Sequence, residues 1–509
     1  MGMNNNCLHD LQNGSDIRGV VLTNEDQVIN LTNKEIKIIT IAFHEWLKNK
    51  NKLNNLKISV GIDSRITGNE FKHTIINTLV ACKVTVYDCK LSTTPSMYMT
   101  TIMNDYKCDG AIMITASHLP YYYNGIKLFT KNGCLDKEEI QEILNIASKY
   151  EDNKEDVFVS EIESRRMTIF KPLINDYSKL LVKKIRREIN SSKNYNKPLT
   201  GMKIILDAGN GSGGFFKEKI LEELGADTTG SQFIEPDGTF PNHIPNPETD
   251  ISMNLISNAV IDNDADLGII FDTDVDRVAL VGREGRFINR SSLIALISAI
   301  VLQEHKGSTI VTDSVTSDGV SNFIKKLGGK HHKVKKGYKN IINEAMKLNN
   351  KNEECYVAIE TSGHVALKEN YFLDDAAYFA SKILIIMAKL KNENKFIEDL
   401  ISDLELPNEE REIRLAINEK DFNNYANKIL YDFTKVIADN DNMQIDEDNC
   451  DGIKVVFNER FGEGWFTLRL SLHEPKIVIN IESSKSSECE KILEFIKNFI
   501  NNYNVSYLN

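Results

Sequence analysis

The 509-residue sequence is short of the features that mark several large protein classes. Its eight cysteines (7, 82, 89, 108, 134, 355, 450 and 489) are scattered. The one close pair, Cys82 and Cys89, lacks a CxxC spacing, so neither a zinc site nor a disulfide scaffold is indicated. Long apolar runs are missing. The longest, "LIALISAIVL" at 293–302, is too short to span a bilayer. The N-terminal "MGMNNNCLHD" has no apolar core of the signal-peptide kind. An excess of positive charge is missing too. Lys and Arg number 61 against 73 Asp and Glu, a formal charge of −12 that argues against nucleic acid or an anionic membrane as partner. A small anionic substrate is still compatible, because a local basic pocket coexists readily with an acidic surface. No short-period solenoid repeat is visible. These absences predict a cytoplasmic, reduced protein.

Hydrophobic residues make up 41% and charged residues 26%, ordinary for a soluble globular chain. At roughly 150 residues per domain, the length predicts three or four domains. Three stretches share one pattern: an apolar β-rich run, a glycine or polar turn, then an amphipathic helical segment. They begin at Leu56 ("LKISVGIDSRITGNEFKHTIINTLVA"), Gly201 ("GMKIILDAGNGSGGFFKEKILEELGA") and Ser308 ("STIVTDSVTSDGVSNFIKKLGG"). In the second, Phe216, Ile220, Leu221 and Leu224 fall at helical spacing. Such units predict α/β domains with mixed, largely parallel sheets. The C-terminal part reads as strands ("GIKVVF", "GWFTLRLSL", "KIVINIES") with a closing helix, an α+β pattern. Boundaries near 170, 290 and 405 give domains 1–170, 171–290, 291–405 and 406–509. Four of only ten prolines crowd into 236–247, "PDGTFPNHIPNP", which predicts a rigid, extended loop.

Five stretches carry chemistry. In "GIIFDTDVDR", residues 268–277, Asp272, Asp274 and Asp276 alternate directly after an apolar strand. Three carboxylates so close repel one another unless a cation sits among them, and oxygen ligands at this density suit Mg²⁺. A solvated acidic turn is the plainer alternative. "TASHLPYYYNG", residues 115–125, puts Ser117 and His118 in a loop after the strand "CDGAIMI". The GxSxG elbow of a hydrolase nucleophile is absent, leaving a turn serine or a phosphoryl carrier. A carrier needs a divalent ion, cations and a proton shuttle, and the aspartates, Arg277, Lys127 and His118 supply these. Gly209, Gly211 and Gly214 satisfy GxGxxG, with Asp227 at the distance of a ribose-binding acid, so a nicotinamide-dependent oxidoreductase is a rival reading. Glu360, Ser362 and His364 in "AIETSGH" alternate donors and acceptors that suit vicinal sugar hydroxyls, or form a polar turn. Arg469, Ser471, His473 and Lys476 in "RLSLHEPK" can wrap a phosphate.

Taken in order, these stretches resemble the α-D-phosphohexomutase family, the phosphoglucomutases and phosphomannomutases. "TASHLPYYYNGIK" is similar to its phosphoserine loop (T-A/G-S-H-N-P…N-G-x-K) and "DTDVDR" to its metal loop (D-G-D-x-D-R). "ETSGH" is similar to its sugar loop (G-E-x-S-G-H) and "RLSLHEP" to its phosphate loop (R-P-S-G-T-E-P). "SDIRG" at 15–19, "GIDSR" at 61–65, "PDGTFPNHIPNPE" at 236–248 and "FLDDAAY" at 372–378 support it. The resemblance implies four domains around a central cleft, three of related α/β build and a smaller C-terminal α+β domain. It implies that Ser117 carries the phosphoryl group and, with Asp272, Asp274 and Asp276, binds one Mg²⁺. Lys127 is then the acid and base, with His118, Arg18 and Arg277 beside it. Lys335, Tyr338, Glu360, Ser362, His364, Arg469, Ser471 and His473 hold the substrate. The implied reaction interconverts hexose 1- and 6-phosphates of glucose or mannose through a bound hexose 1,6-bisphosphate, which also primes the enzyme. A glucosamine or N-acetylglucosamine phosphate mutase and a non-catalytic sugar-phosphate-binding protein are the alternatives. Partners are sugar phosphates, with no nucleic acid or membrane, and the enzyme is a monomer or dimer. Departures are Leu119 for the usual Asn, Ile359 for Gly, and Leu472 and His473 for Gly and Thr, the last removing a hydroxyl donor and adding an imidazole.

Overall fold

Near-continuous apolar runs such as "KISVGI" suit strands covered on both faces, and Lys57–Ile62 is such a strand, buried at all but its first residue. The computed structural model describes residues 7–24, 27–53, 55–151, 161–419, 421–440, 442–447, 449–457, 464–471 and 475–508. The chain divides into two compact units. The first comprises 1–289, 362–365 and 373–397; the second comprises 290–361, 366–372 and 398–509.

The first unit holds two sheets. In the larger, Gly110–Ile114, Lys57–Ile62, Thr85–Leu91 and Thr168–Phe170 run parallel. Tyr123–Thr130 and Asp16–Val20 extend it antiparallel. Helix Asn33–Asn51 starts on a Thr32/Glu35 capping box and helix Lys137–Ala147 on an Asp136/Glu139 box, each satisfying backbone donors that a helix start leaves open. The core of this sheet joins Ile36, Phe43, Leu47, Ile58, Ile112 and Leu128 with their neighbours. The strand order has a functional consequence. Gly110–Ile114 runs straight into the loop bearing Ser117, and the return strand sets Lys127 opposite Met113 and Gly125 opposite Arg18.

The second sheet pairs Ile204–Asp207 parallel with Leu267–Phe271, which then turns back antiparallel into Val278–Val281. That tight turn, residues 272–277, carries the three aspartates. The glycine run before it serves packing. A Cβ on Gly211 would lie 2.6 Å from the Thr273 carbonyl oxygen, and one on Gly214 2.2 Å from that of Ile234. The GxGxxG match is thus accounted for by backbone approach. The helix expected after it is a short π-type turn, Lys217–Glu222. Phe216, Ile220, Leu221 and Leu224 are nonetheless all buried.

In the second unit, Lys330–Val334, Thr309–Asp313 and Cys355–Ile359 form a parallel trio. The all-round apolar "LIALISAIVL" lies in helix Arg290–Glu304, buried from Ser291 to Leu302, as a helix without a polar face must be. Among the described residues no helix is long and apolar enough to cross a membrane. The C-terminal part is an antiparallel sheet ordered Met443–Ile445, Ile453–Phe457, Gly464–Leu470, Lys476–Ser483, Glu409–Ile417 and Val505–Leu508. Helices Phe422–Ala438 and Glu488–Ile500 cover one face over a core that includes Phe433, Phe466, Ile479 and Ile496.

Candidate active site

Ser117 sits where a parallel strand ends, the usual position for a ligand site in an open α/β sheet. It adopts φ +51°, a left-handed conformation that a serine rarely takes. Its amide donates to the Thr115 hydroxyl at 2.9 Å. Its own hydroxyl donates to Asp272 Oδ2 at 3.2 Å and lies 3.3 Å from His118 Nδ1. Burial first, then the charges of Arg277 and Arg18, hold the His118 imidazole well below its ordinary pKa, so it is neutral.

Asp272, Asp274 and Asp276 are fully buried, and one oxygen from each lies within 4.8 Å of the others. The Asp272 carboxylate accepts from the amides of Asp276 (3.1 Å) and Arg277 (3.2 Å). Thr94 donates its hydroxyl to Asp274. Asp274 Oδ1 and Asp276 Oδ1 are buried without a hydrogen-bond partner. Buried acceptors left open are costly, and a shared cation satisfies both. Burial, then repulsion from Asp276 and Asp274, pushes Asp272 well above the carboxylate range. The turn is itself strained, for Val275, a β-branched residue, takes φ +65°.

Lys127 supplies the internal counter-charge. Its Nζ is 3.1 Å from Asp274 Oδ2 and bonds Asp276 directly. Burial alone would favour the neutral amine, but Asp274, Asp276 and Asp16 hold the ammonium well above the ordinary lysine value. Arg18 pairs with Asp16 at 2.6 Å and reaches the Ala116 carbonyl at 3.4 Å. Arg277 Nε donates to His364 Nε2 at 2.9 Å, and its other nitrogen is 3.3 Å from Glu248. That places the His364 proton on Nδ1, which faces Asp374 at 3.3 Å. Burial, reinforced by Asp276, raises the Asp374 pKa against the pull of His364. His364 and Asp374 thus adjoin the triad through Asp276, all of them buried.

The first unit therefore assembles Ser117, His118, Lys127, Arg18, Arg277, His364 and the three aspartates, with Ser362 buried in the same unit. Sequence reasoning passed over Asp16, Thr94, Glu248 and Asp374. Three of the four lie in stretches quoted for the family likeness, and the doubled acid of "FLDDAAY" was the readable signal.

In the second unit, Glu360 accepts from the Gly337 amide. Lys335 is exposed. Its neighbour Lys336 turns inward instead, 3.1 Å from Thr361 Oγ1 and 3.9 Å from Asp313. Tyr338 opens helix Tyr338–Asn350 and packs half-buried on the core of the parallel trio. Arg469 is buried on strand Gly464–Leu470, and its Nε has no hydrogen-bond partner among the described residues, a donor open to an acceptor. The Ser471 amide closes the turn onto the Lys476 carbonyl at 2.8 Å. His473 lies outside the described residues.

Three family models, for the phosphoglucomutase/phosphomannomutase alpha/beta/alpha domains I, II and III, match residues 9–154, 176–285 and 289–405. Over 495 residues the chain is 29% identical to a phosphoglucomutase of Neisseria meningitidis, covering 96% of each. Over 446 residues it is 28% identical to a Pseudomonas aeruginosa phosphomannomutase/phosphoglucomutase, covering 87% of this chain and 86% of that one. A solved phosphoglucomutase/phosphomannomutase family protein from Burkholderia thailandensis shares the fold. Its TM-score is 0.76 at 22% identity, over 98% of this chain and 99% of that one.

Proposed function

The chain belongs to the α-D-phosphohexomutase family of phosphoglucomutases and phosphomannomutases, and on that premise we propose that it interconverts hexose 1- and 6-phosphates through a phosphoryl group carried on Ser117. The supporting observation is the Ser117 hydroxyl, 3.2 Å from a buried three-carboxylate cluster with two unpartnered oxygens. A lone turn serine has no need of such surroundings. The donor set is all carboxylate oxygen, which fits a hard divalent cation such as Mg²⁺. Asp272, Asp274, Asp276 and an oxygen of the Ser117 phosphate would hold it, and it would supply neutralisation of the charge that spreads over the transferred group.

The chain's own residues perform the rest. In the first transfer the bond from phosphorus to Ser117 Oγ breaks as one forms to the free sugar hydroxyl, whose proton leaves. The product is a bound 1,6-bisphosphate. In the second transfer the other phosphate returns to Ser117, releasing the isomeric monophosphate. Lys127 Nζ takes the proton of the attacking hydroxyl as the neutral amine, which requires Asp274 and Asp276 to give up part of their hold on the ammonium, and as the ammonium it returns that proton to the sugar oxygen that loses phosphate. Any loss of charge at Asp274 and Asp276 weakens the hold on that proton. Neutral His118 hydrogen-bonds the serine oxygen without a cation's pull on it. Arg18 and Arg277 bring positive charge to the transferred group. Glu360 and Ser362 accept the sugar hydroxyls, His364 lies beside Ser362 with Nε2 taken by Arg277, and Arg469 with Ser471 holds the distal phosphate. Lys336, rather than Lys335, is the lysine directed at the Thr361 and Glu360 end of the sugar loop.

Mass spectrometry of the intact chain tests the carrier. Phosphatase treatment, or Ser117→Ala, removes about 80 Da, one phosphate. A folded enzyme that never acquires label at Ser117 from a hexose 1,6-bisphosphate in the presence of Mg²⁺ overturns the proposal. Coupled assays with glucose, mannose and glucosamine phosphates then assign the sugar.

A further inference from the structure

Arg65 is a fully buried arginine, and its side chain is spent on one loop. Nη1 donates to the carbonyls of Pro120 (2.9 Å) and Tyr123 (2.8 Å). Nη2 donates to those of Ser117 and Leu119, both at 2.5 Å. Nε faces Asp63 Oδ2 at 3.3 Å, with neither side chain exposed to solvent. Its four Nη N–H groups are thereby spent on backbone oxygens between 117 and 123, whereas Nε is paired with Asp63 in charge only and makes no hydrogen bond among the described residues. Asp63 in turn is fixed from both ends. Its amide donates to the Ile114 carbonyl, the last residue of the strand before the loop, and its carboxylate accepts from the Arg65 amide at 2.9 Å. The clamp is covered as well. The Phe240 ring centre lies 5.3 Å from the guanidinium carbon, and Gly238 packs so tightly on Ser64–Ile66 that a Cβ would fall 2.5 Å from the Ser64 oxygen.

We propose that Arg65 is a positioning residue for phosphoryl transfer: it grips the Ser117 carbonyl, holds that residue left-handed, and so aims Oγ at Asp272. The proposal rests on Ser117 being the carrier. A serine at φ +51° returns to an extended or helical conformation unless its surroundings overdetermine it. Neither the strand before the loop nor the turn after it grips the Ser117 carbonyl. A lysine keeps the charge of Arg65 but is a compact point donor with three N–H groups, and so leaves carbonyls unmatched. The guanidinium touches no reacting atom, so its loss misaligns the phosphoryl group without removing a sugar contact.

Transfer from ³²P-labelled enzyme to a hexose monophosphate, followed in a single turnover, tests this on the full chain. Arg65→Lys is expected to stay folded and keep its sugar-phosphate Kd while transferring about a hundredfold more slowly, the usual cost of a misplacement near 1 Å. Guanidinium chloride below denaturing concentration is expected to restore transfer partly in Arg65→Ala, which a merely destabilised fold would not show. Transfer at the wild-type rate in Arg65→Lys, or weakening of sugar-phosphate binding in step with transfer, overturns the inference. If neither Arg65 variant folds, Phe240→Ala decides, with slower transfer supporting the clamp and an unchanged rate overturning it. If wild-type Ser117 never takes label, the carrier itself has failed, an outcome distinct from these.

Discussion

Lys127 shows how one residue shapes the site before any ligand arrives. Its ammonium stands between two buried carboxylates, which in isolation would repel each other and Asp272. Removing one partner of a buried ion pair leaves an uncompensated charge and costs about 3–5 kcal/mol. In Lys127→Ala the three aspartates lose the ammonium bonded to Asp276, leaving Arg277 to act on Asp272 and Asp276, so a divalent cation becomes their main means of neutralisation. The variant is therefore expected to melt well below the wild type in EDTA. Millimolar Mg²⁺ should recover much of the difference, since binding to the folded state adds about 2.7 kcal/mol at a hundredfold excess over Kd. Thermal melts of both proteins with and without Mg²⁺ make the measurement. Equal Mg²⁺ shifts in the two would show that Lys127 is not the stand-in cation.

At the scale of elements, the proline-rich loop 236–248 delivers Glu248 to Arg277, and His243 pins that loop. Nε2 of His243 is 3.1 Å from both oxygens of Asp207, and Nδ1 is 2.8 Å from the Ile244 carbonyl and 3.0 Å from Ser252 Oγ. Acceptors on both sides favour the doubly protonated ring. Burial opposes this, but the Asp207 hydrogen bond and charge prevail, and the His243 pKa rises above 6.5. A raised folded-state value gives stability in full below 6.5 that fades as pH climbs through it. His243→Ala is thus expected to destabilise by about 1–3 kcal/mol at pH 6, the cost of stranding a buried carboxylate, and by less at pH 9. Urea titrations at the two pH values check it, and a loss independent of pH would refute it. The prolines made this stretch legible as a loop rather than a helix or strand, though it is built of turns and not extended. Its anchors were not legible, because Asp207 lies 36 residues from His243 and no local spacing links them. The same holds for Arg65 beneath the Ser117 loop, 52 residues away. Strand–turn–helix alternation was readable because periodicity is local. The turn of Lys336 toward Thr361 was not, because a residue past a strand end has no periodic rule to set its direction.

For the molecule as a whole, the C-terminal sheet buries polar residues as well as apolar ones. One face is apolar core, and the other buries Lys454, Trp465, Thr467, Arg469 and Glu482. Alternation at period two reports which residues share a face and leaves open what covers it. Ser317 covers Glu482, donating to it at 3.1 Å, and Asp318 reaches Lys454 at 3.2 Å, all within the second unit. Glu482 is under electrostatic load there. Burial, then the charges of Asp318 and Glu410, raises its pKa from 4.5 to about 7, with the Ser317 hydrogen bond and Lys333 pulling the other way. Between those values the folded chain holds a proton that the unfolded chain has released. The associated stability is complete below pH 4.5, declines across the interval and is gone above about 7. At 1.36 kcal/mol per unit the loss amounts to about 3 kcal/mol. Glu482→Gln keeps the shape and the acceptor oxygen without the charge, so the neutral contact persists at every pH. Relative to wild type the variant is expected to gain about that much stability from pH 5 to pH 8, in guanidinium unfolding curves collected at half-unit intervals. A stability difference that stays flat over that range would mean Glu482 ionises as freely in the folded chain as in the unfolded one, and that the buried polar face is open to water.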